Sequence, residues 1–384
     1  MTTLLWVEPE LGTVSGGLRY NEQLRSALGT CGVQNPVLSL PGDWNAPLEA
    51  DGPALAAQVA ASAAEYDADA AVIDGLIGSA CPELFTHPTA GHSEHRGARI
   101  LLVHLSAAVA HELPTEQTPP GGADPEVVRR EQRAVDAADH VITVSRWSAD
   151  ELRRRYGRDE ITVARPGTAA AAPAQPAAPP EQPKQPEQPE QNPLAEPNTV
   201  PQLACVSAFL PVKNHSLLAP ALEPLSDLPW QLTLAGPHSG SAYGQQVIED
   251  LHRRLPGRVR SLGVLSPAEV GQLWAQTDLV LLPSAAETYG MVVAEACAAG
   301  VPSFIPAGTG AGEAAGEAGV ALDPQRPQEW TAALRDWLSS PRNRTELRER
   351  ARRRRESLPT WEQAAQTVRA LLPPCAGDGR GCGT

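Results

Sequence analysis

The sequence predicts an α/β protein of two Rossmann-like domains, each a parallel sheet wrapped by helices, facing one another across a cleft. Three observations predict it. Short apolar strand candidates alternate with helix-like segments along both halves of the chain. A low-complexity tract, residues 169–200, divides those halves. The length of 384 residues suits two ordinary domains, and 42% apolar content suffices for a core in each.

In the first half, TLLWV, AAVID, ILLVHL, HVITVS and ITVARPG read as strands. The loop LGTVSGG leads from the first of them into a helix, LRYNEQLRSALGTCG. AAVID is expected to end in a turn. PEVVRREQRAVDAAD is a charged amphipathic helix, and SADELRRRYG another, with a Ser or Asp cap and a Gly157 stop. The divider AAAAPAQPAAPPEQPKQPEQPEQNPLAEPNTV has no apolar periodicity, so it reads as an extended spacer.

The second half repeats the scheme. PQLACVSAFL, WQLTLAG, VRSLGVL, DLVLLPS and VPSFIPAG are strand candidates. HSLLAPALEPL, YGQQVIEDLHRRL, PAEVGQLWAQT and YGMVVAEACAAG are helix candidates. The expected domains are 1–168 and 201–355, then a helix in 356–373 and a flexible tail, 374–384. Paired sheets of this kind bind ligands beyond the carboxyl ends of their strands.

Charge and cysteine usage narrow the partners. A formal net charge of -14 argues against general nucleic-acid binding, which needs a Lys/Arg surplus. None of the six cysteines forms a paired CxxC, so no metal site is expected. Cys205 and Cys297 lie in apolar runs and read as buried small hydrophobes. The opening MTTLLWVEPE has no basic or long apolar signal region, and no run is long enough to span a bilayer. A cytoplasmic protein with reduced thiols is expected. The Arg352–Arg355 run could touch anionic lipid, giving at most peripheral membrane contact. Glutamates at helical spacing, Glu346 with Arg350 and Glu349 with Arg353, favour a solvated face.

The densest chemistry lies in PSAAETYGMVVAEAC. Glu287 follows a strand and a short turn, and Glu295 stands eight positions on, within the helix that the turn opens. Two carboxylates there can accept from sugar or ribose hydroxyls. The amides of Tyr289, Gly290 and Met291 would open a helix N-terminus toward an anion. Equally, Glu287 could cap that helix and Glu295 face solvent. Lys213, in a loop after a strand, can neutralise a diphosphate or simply be solvated. Asn214 beside it could cap the next helix. Gly16 and Gly17 permit close backbone approach to a ligand, or make a plain turn. His104 ends a strand and faces the cleft, or is a hydrogen-bonded structural histidine. His111 is a weaker cleft candidate. Asp67 and Asp69 spell DxD but precede a strand, at the wrong end of a sheet for a metal-dependent transfer site.

In this order and spacing the motifs resemble glycosyltransferase family 4, the retaining GT-B group. SGGLRYNEQL resembles its Gly-Gly loop and helix, and ILLVH its strand ending in histidine. HVITVSRWSADEL is similar to its "VS" strand and helix. DLVLLPS through ETYGMVVAEACAAGVPSF to GEAGVALDP resembles its EX7E region. TWEQAAQTVRALL is similar to its terminal helix, which crosses back to the N-terminal domain.

The resemblance implies a nucleoside-diphosphate sugar donor, an acceptor of unknown identity and no metal or other cofactor. Glu287 would contact the transferred sugar, Glu295 the ribose and Lys213 the diphosphate. Gly16 and Gly17 would lie near the diphosphate or the acceptor, and His104 near the reacting sugar. Two departures stand out. The family's GR pair before the lysine is Ser207 and Ala208 here, and its later GG pair is Thr309 and Gly310. A donor-binding protein without turnover and a nucleotide-sugar epimerase are the competing readings. The loop 105–125 is a candidate acceptor lid.

Overall fold

A computed structural model describes residues 2–11, 15–42, 44, 52–86, 97–113, 121–168, 200–237 and 241–373. Residues 169–199 of the expected 169–200 spacer, the tail at 374–384 and part of the expected lid, 114–120, lie outside the described residues. The first sheet holds β1 (Thr2–Pro9), β2 (Val33–Gln34), β3 (Val37–Leu40), β4 (Ala70–Asp74), β5 (Ala98–Val103), β6 (His140–Thr143) and β7 (Thr162–Val163). Its order is β2-β1-β4-β5-β6-β7, with β3 also on β1, and the pairings are parallel. Asn35-Pro36 explains the divided edge strand. Pro36 has no N–H to donate, so only its carbonyl joins the ladder, accepting from Trp6 N at 2.9 Å.

The second sheet holds β8 (Gln202–Val206), β9 (Gln231–Ala235), β10 (Val259–Ser261), β11 (Leu279–Leu281), β12 (Ser303–Pro306) and β13 (Gly319–Leu322). Its order is β10-β9-β8-β11-β12-β13, again parallel. Helices cover both faces of these sheets, so central strands are apolar throughout; Leu4, Leu5, Trp6 and Val7 of β1 are all buried. In each sheet the chain reverses its winding at one point, between β1 and β4 and between β8 and β11. Connections there leave to opposite faces and open a crevice at the carboxyl ends.

The helix Trp361–Arg369 packs against the helix Gly16–Thr30, burying Ala364, Ala365 and Val368 beside Tyr20 and Leu24. Gly167 is the close approach that permits it, since a Cβ there would lie 2.1 Å from Trp361 N.

Several local expectations are corrected. AAVID runs straight into the helix Gly75–Ala80, capped by Asp74 through Leu76 N at 2.9 Å. The helix in SADELRRRYG starts earlier, at Arg146, because Ser145 accepts from Ser148 N at 3.0 Å; Gly157 does end it, at φ 69°. HSLLAPALEPL breaks into 3-10 turns around a short helix, Leu218–Leu222, where Pro224 interrupts the ladder. VRSLGVL is strand only over Val259–Ser261. Asn214 caps nothing: its backbone is left-handed at φ 51°, and its amide donates to the carbonyls of Pro283 and Pro324.

Candidate active site

Each winding reversal carries candidate residues at its carboxyl end, and the two sides meet in a seam where Gly16 approaches the Met291 methyl. On the C-terminal side, Lys213 follows β8 and Glu287 follows β11, 74 residues apart in sequence. The neighbouring strands β8 and β11 make them meet, Lys213 Nζ donating to Glu287 Oε2 at 2.8 Å. Both side chains are largely buried, at 26% and 13% exposure, and Ser284 Oγ adds a longer contact to Glu287 at 3.4 Å. Glu287 therefore does not cap the helix Met291–Ala298. Gly290, at φ 81°, stands at its N-cap position without a side-chain bond.

Among the described residues, the amides of Gly290, Met291 and Val292 have no acceptor within the protein. A helix of eight residues still presents a positive N-terminus to an anion. Tyr289 contributes no side chain to the site. Its ring is 1% exposed, within the core beside Val293 and Cys297, because the turn places it inward; only its backbone remains available.

Glu295 faces the other domain. It pairs with Arg19 at 2.8 Å, and burial raises its carboxyl above the ordinary range while Arg19 opposes that shift. Glu295, Met291, Arg19 and Glu8 line a cleft of about 1310 Å³ between the domains. A second bridge lies at the far side of the seam. Glu313 accepts from Trp147 N at 2.8 Å and pairs with Arg165 at 3.3 Å, while Trp147 Nε1 donates to the Gly308 carbonyl.

On the N-terminal side, Gly17 lies against His104, where a Cβ would fall 2.9 Å from Cδ2 of the ring; Gly16 lies 3.7 Å by the same measure from the Met291 methyl. The close approach that glycine provides is thus to His104. His104 in turn meets Asn21, Nε2 to Oδ1 at 2.9 Å, and Asp74, Nε2 to Oδ2 at 3.7 Å. The Asn21 amide donates to Asp74 Oδ2 at 3.5 Å, leaving its oxygen for the histidine. His104 Nε2 then carries the hydrogen, and Nδ1 is free to accept. Burial pushes His104 down to about 4 and Asp74 up to about 6, so at pH 7 a neutral imidazole stands near a carboxylate. Glu8, at the end of β1, is tied to Arg25, whose guanidinium also stacks over Trp6.

Sequence reading missed Asn21, Asp74, Glu8, Arg25 and Arg19. The only signal was position: Glu8 and Asp74 end strands, and Arg19 lies in the first turn after the glycine pair. If Asn21 sets the tautomer of His104, Asn21→Ala should lower turnover about tenfold or more. It should also move the acid limb of the pH–rate profile upward, as Asp74 then acts on the imidazole directly. A turnover loss with an unmoved pH profile would assign Asn21 to packing alone.

The remaining candidates are placed as follows. His111 is exposed, in the last turn of a short helix. Asp69 accepts from Thr3 N at 2.8 Å at the amino end of the sheet, away from the cleft. Ser207 Oγ meets His215 Nε2 at 3.0 Å where the family's GR pair would stand. His215 is buried, stacked on Phe209 and held down to about 3 by that burial, so it adds no second cation. Cys205 and Cys297 are buried, Cys375 and Cys382 lie outside the described residues, and Glu346 pairs with Arg350. Among the described residues no helix is long and apolar enough to cross a membrane.

Two Rossmann-like parallel sheets with a crevice at facing switch points define the GT-B fold, and solved glycosyltransferases share it over nearly the whole chain. Sucrose-phosphate synthase from Thermosynechococcus elongatus superposes with a TM-score of 0.76 at 20% identity, covering 97% of this chain and 98% of that one. Anabaena HepE, solved in complex with UDP-glucose, gives 0.70 at 18% identity, covering 97% and 99%. Residues 186–354 match the family described as Glycosyl transferases group 1. Two curated relatives are named D-inositol 3-phosphate glycosyltransferase. The one from Kineococcus radiotolerans is 30% identical over 303 residues, 72% of this chain and 64% of the relative. The one from Rhodococcus opacus is 28% identical over 262 residues, 64% and 56% respectively. The chain spans less than two thirds of the length of both relatives.

Proposed function

We propose that this protein is a retaining glycosyltransferase that moves a hexose from a nucleoside-diphosphate sugar to an acceptor hydroxyl. The observation that carries the reading is the seam itself. Lys213, Glu287 and the open amides before Val293 lie on one side, and Gly16, Gly17 and His104 on the other. A cation and a helix N-terminus suit a diphosphate, and a carboxylate beside them suits a sugar hydroxyl. Relatives named glycosyltransferases and a neighbour solved with UDP-glucose support the same donor class.

In the proposed reaction the acceptor oxygen bonds to the anomeric carbon from the face that the leaving group occupies. The bond from that carbon to the phosphate oxygen breaks, and the acceptor proton passes to the departing diphosphate. Lys213 leaves Glu287 for the diphosphate and stabilises the charge that develops there. Glu287, freed of that partner, accepts from the sugar. Glu295 exchanges Arg19 for the ribose hydroxyls. His104, neutral and oriented through Asn21, offers Nδ1 as an acceptor beside the reacting sugar. Charge on the leaving group is met by Lys213 and backbone amides, so the proposal includes no metal. A cytoplasmic location follows for an enzyme whose donor is a soluble nucleotide sugar.

Thermal-shift measurement across nucleotides and nucleotide sugars, without added metal, tests the donor. Saturation at a hundred times Kd should add about 2.7 kcal/mol of stability. No shift with any nucleotide would move the reading toward a degenerate site. Chelator should leave turnover intact, and its loss on chelation would sink the metal-free mechanism. Product formation from donor alone, without acceptor, would favour an epimerase.

A further inference from the structure

A donor that takes Glu295 by its ribose, as proposed above, displaces the Arg19 guanidinium, and the surroundings of Arg19 decide where it goes. Arg19 lies in the first turn of the helix Gly16–Thr30, on the N-terminal domain, and reaches across the cleft to Glu295 at 2.8 Å. The two helices meet in step. Gly16 lies against the Met291 methyl, and Arg19, one turn further along its own helix, meets Glu295, one turn beyond Met291. Met291, Glu295 and Arg19 line the same cleft. The open amides of Gly290, Met291 and Val292 therefore begin about 6 Å along the helix axis from the carboxylate that now holds Arg19. An arginine side chain covers such a step by changing rotamer, with no movement of its backbone.

Other destinations in the cleft are weaker. Glu10 and Glu22 also line it, but both are exposed, where an ion pair contributes little. Glu8 is buried and already engaged by Arg25, whose guanidinium also lies over Trp6. Arg25 is thus fixed, whereas Arg19 is 46% exposed on its side chain.

The diphosphate calls for a second cation. It is multiply charged, and its charge grows as the sugar leaves. On the β8 side Lys213 answers it, while Ser207 and Ala208 are uncharged and His215 is buried and neutral. An ammonium is a single compact charge, whereas a guanidinium can bridge two phosphate oxygens.

We infer that Arg19 is a donor ligand supplied by the N-terminal domain. On donor binding it leaves Glu295 to the ribose and pairs with the diphosphate, opposite Lys213, at the open amides that begin the helix Met291–Ala298. The inference rests on the transferase reading, and the experiment separates the two.

UDP or GDP, whichever raises the parental Tm, is titrated calorimetrically into the parental chain, Arg19→Ala, Arg19→Lys and Lys213→Ala, beside the matching bare nucleoside. Arg19→Ala should bind the diphosphate at least about tenfold more weakly. Its affinity for the nucleoside should be unchanged or higher, because Glu295 is already free. Arg19→Lys should recover part of the diphosphate loss, since it keeps the charge without the fork. With an accepted donor, kcat should fall in Arg19→Ala as well. Diphosphate binding at parental strength or tighter in Arg19→Ala, beside a loss in Lys213→Ala, overturns the inference alone; Arg19 would then only obstruct Glu295 and retire to Glu22. Equal losses for diphosphate and nucleoside in Arg19→Ala overturn it too, by tracing the effect to packing. No Tm shift with either nucleotide, or no diphosphate loss in either alanine variant, overturns the donor reading and the inference with it.

Discussion

Glu287→Ala should lower turnover by more than about tenfold, and Lys213→Ala should weaken binding of the donor diphosphate. The two residues hold one another at 2.8 Å in the unliganded seam, so each truncation has two effects. It would remove the proposed contact to donor, and it leaves the opposite charge largely buried without its partner. The second effect falls on stability and the first on kinetics, so measuring Tm beside kcat and KM separates them. Glu287→Gln sharpens the test by keeping shape and a hydrogen-bond acceptor while removing charge. If Glu287 holds the transferred sugar, kcat falls for both variants by more than Tm can explain. If both variants turned over donor at the parental rate, the site assignment would be wrong, and the ion pair would be only a strut between the β8 and β11 loops.

How much of this was legible in the sequence depended on whether a residue's role is local. Lys213, Glu287 and His104 each follow a strand, and strand ends of parallel sheets face the crevice, so their positions could be read from pattern alone. Strand order is not local. Asp74 meets His104 and Asn21 because β4 lies between β1 and β5, a pairing of segments some 30 and 66 residues apart that no periodicity announces. Gly17 showed the same limit. Its lack of a side chain was legible, but whether the space served a ligand or the His104 ring was not. Tyr289 was read only for its amide; that its ring packs into the core beside Val293 and Cys297 is a tertiary outcome that the local sequence did not announce. Ser145 outcompeted Ser148 as a cap for a local reason that was available: it stands two residues after β6 ends, where the chain turns into the helix.

At the Thr309-Gly310 pair the second residue is held to glycine, and Gly310→Ala should damage the site strongly. Gly310 has ordinary helical backbone angles, so conformational freedom is not the reason. Space is. A Cβ there would lie 1.8 Å from the Thr288 carbonyl oxygen and 3.1 Å from that of Glu287, while its own N–H donates to the Glu287 carbonyl at 2.8 Å. Those atoms are backbone and cannot swing away, so the turn carrying Glu287 must move. Overpacking of this kind destabilises by about 1–3 kcal/mol. Because the displaced turn also sets Gly290 and the open amides, donor affinity and kcat should fall together with Tm. Gly312→Ala is the matched control, since a Cβ at that position meets nothing within 4 Å and alanine favours the helix. Gly310→Ala with parental donor affinity and turnover would mean that the turn relaxes without moving Glu287. Equal losses in both variants would trace the effect to the helix Ala311–Ala315 rather than to the seam. A loss confined to Gly310→Ala would show that this glycine maintains the geometry of the Lys213–Glu287 pair from behind, without itself touching a donor.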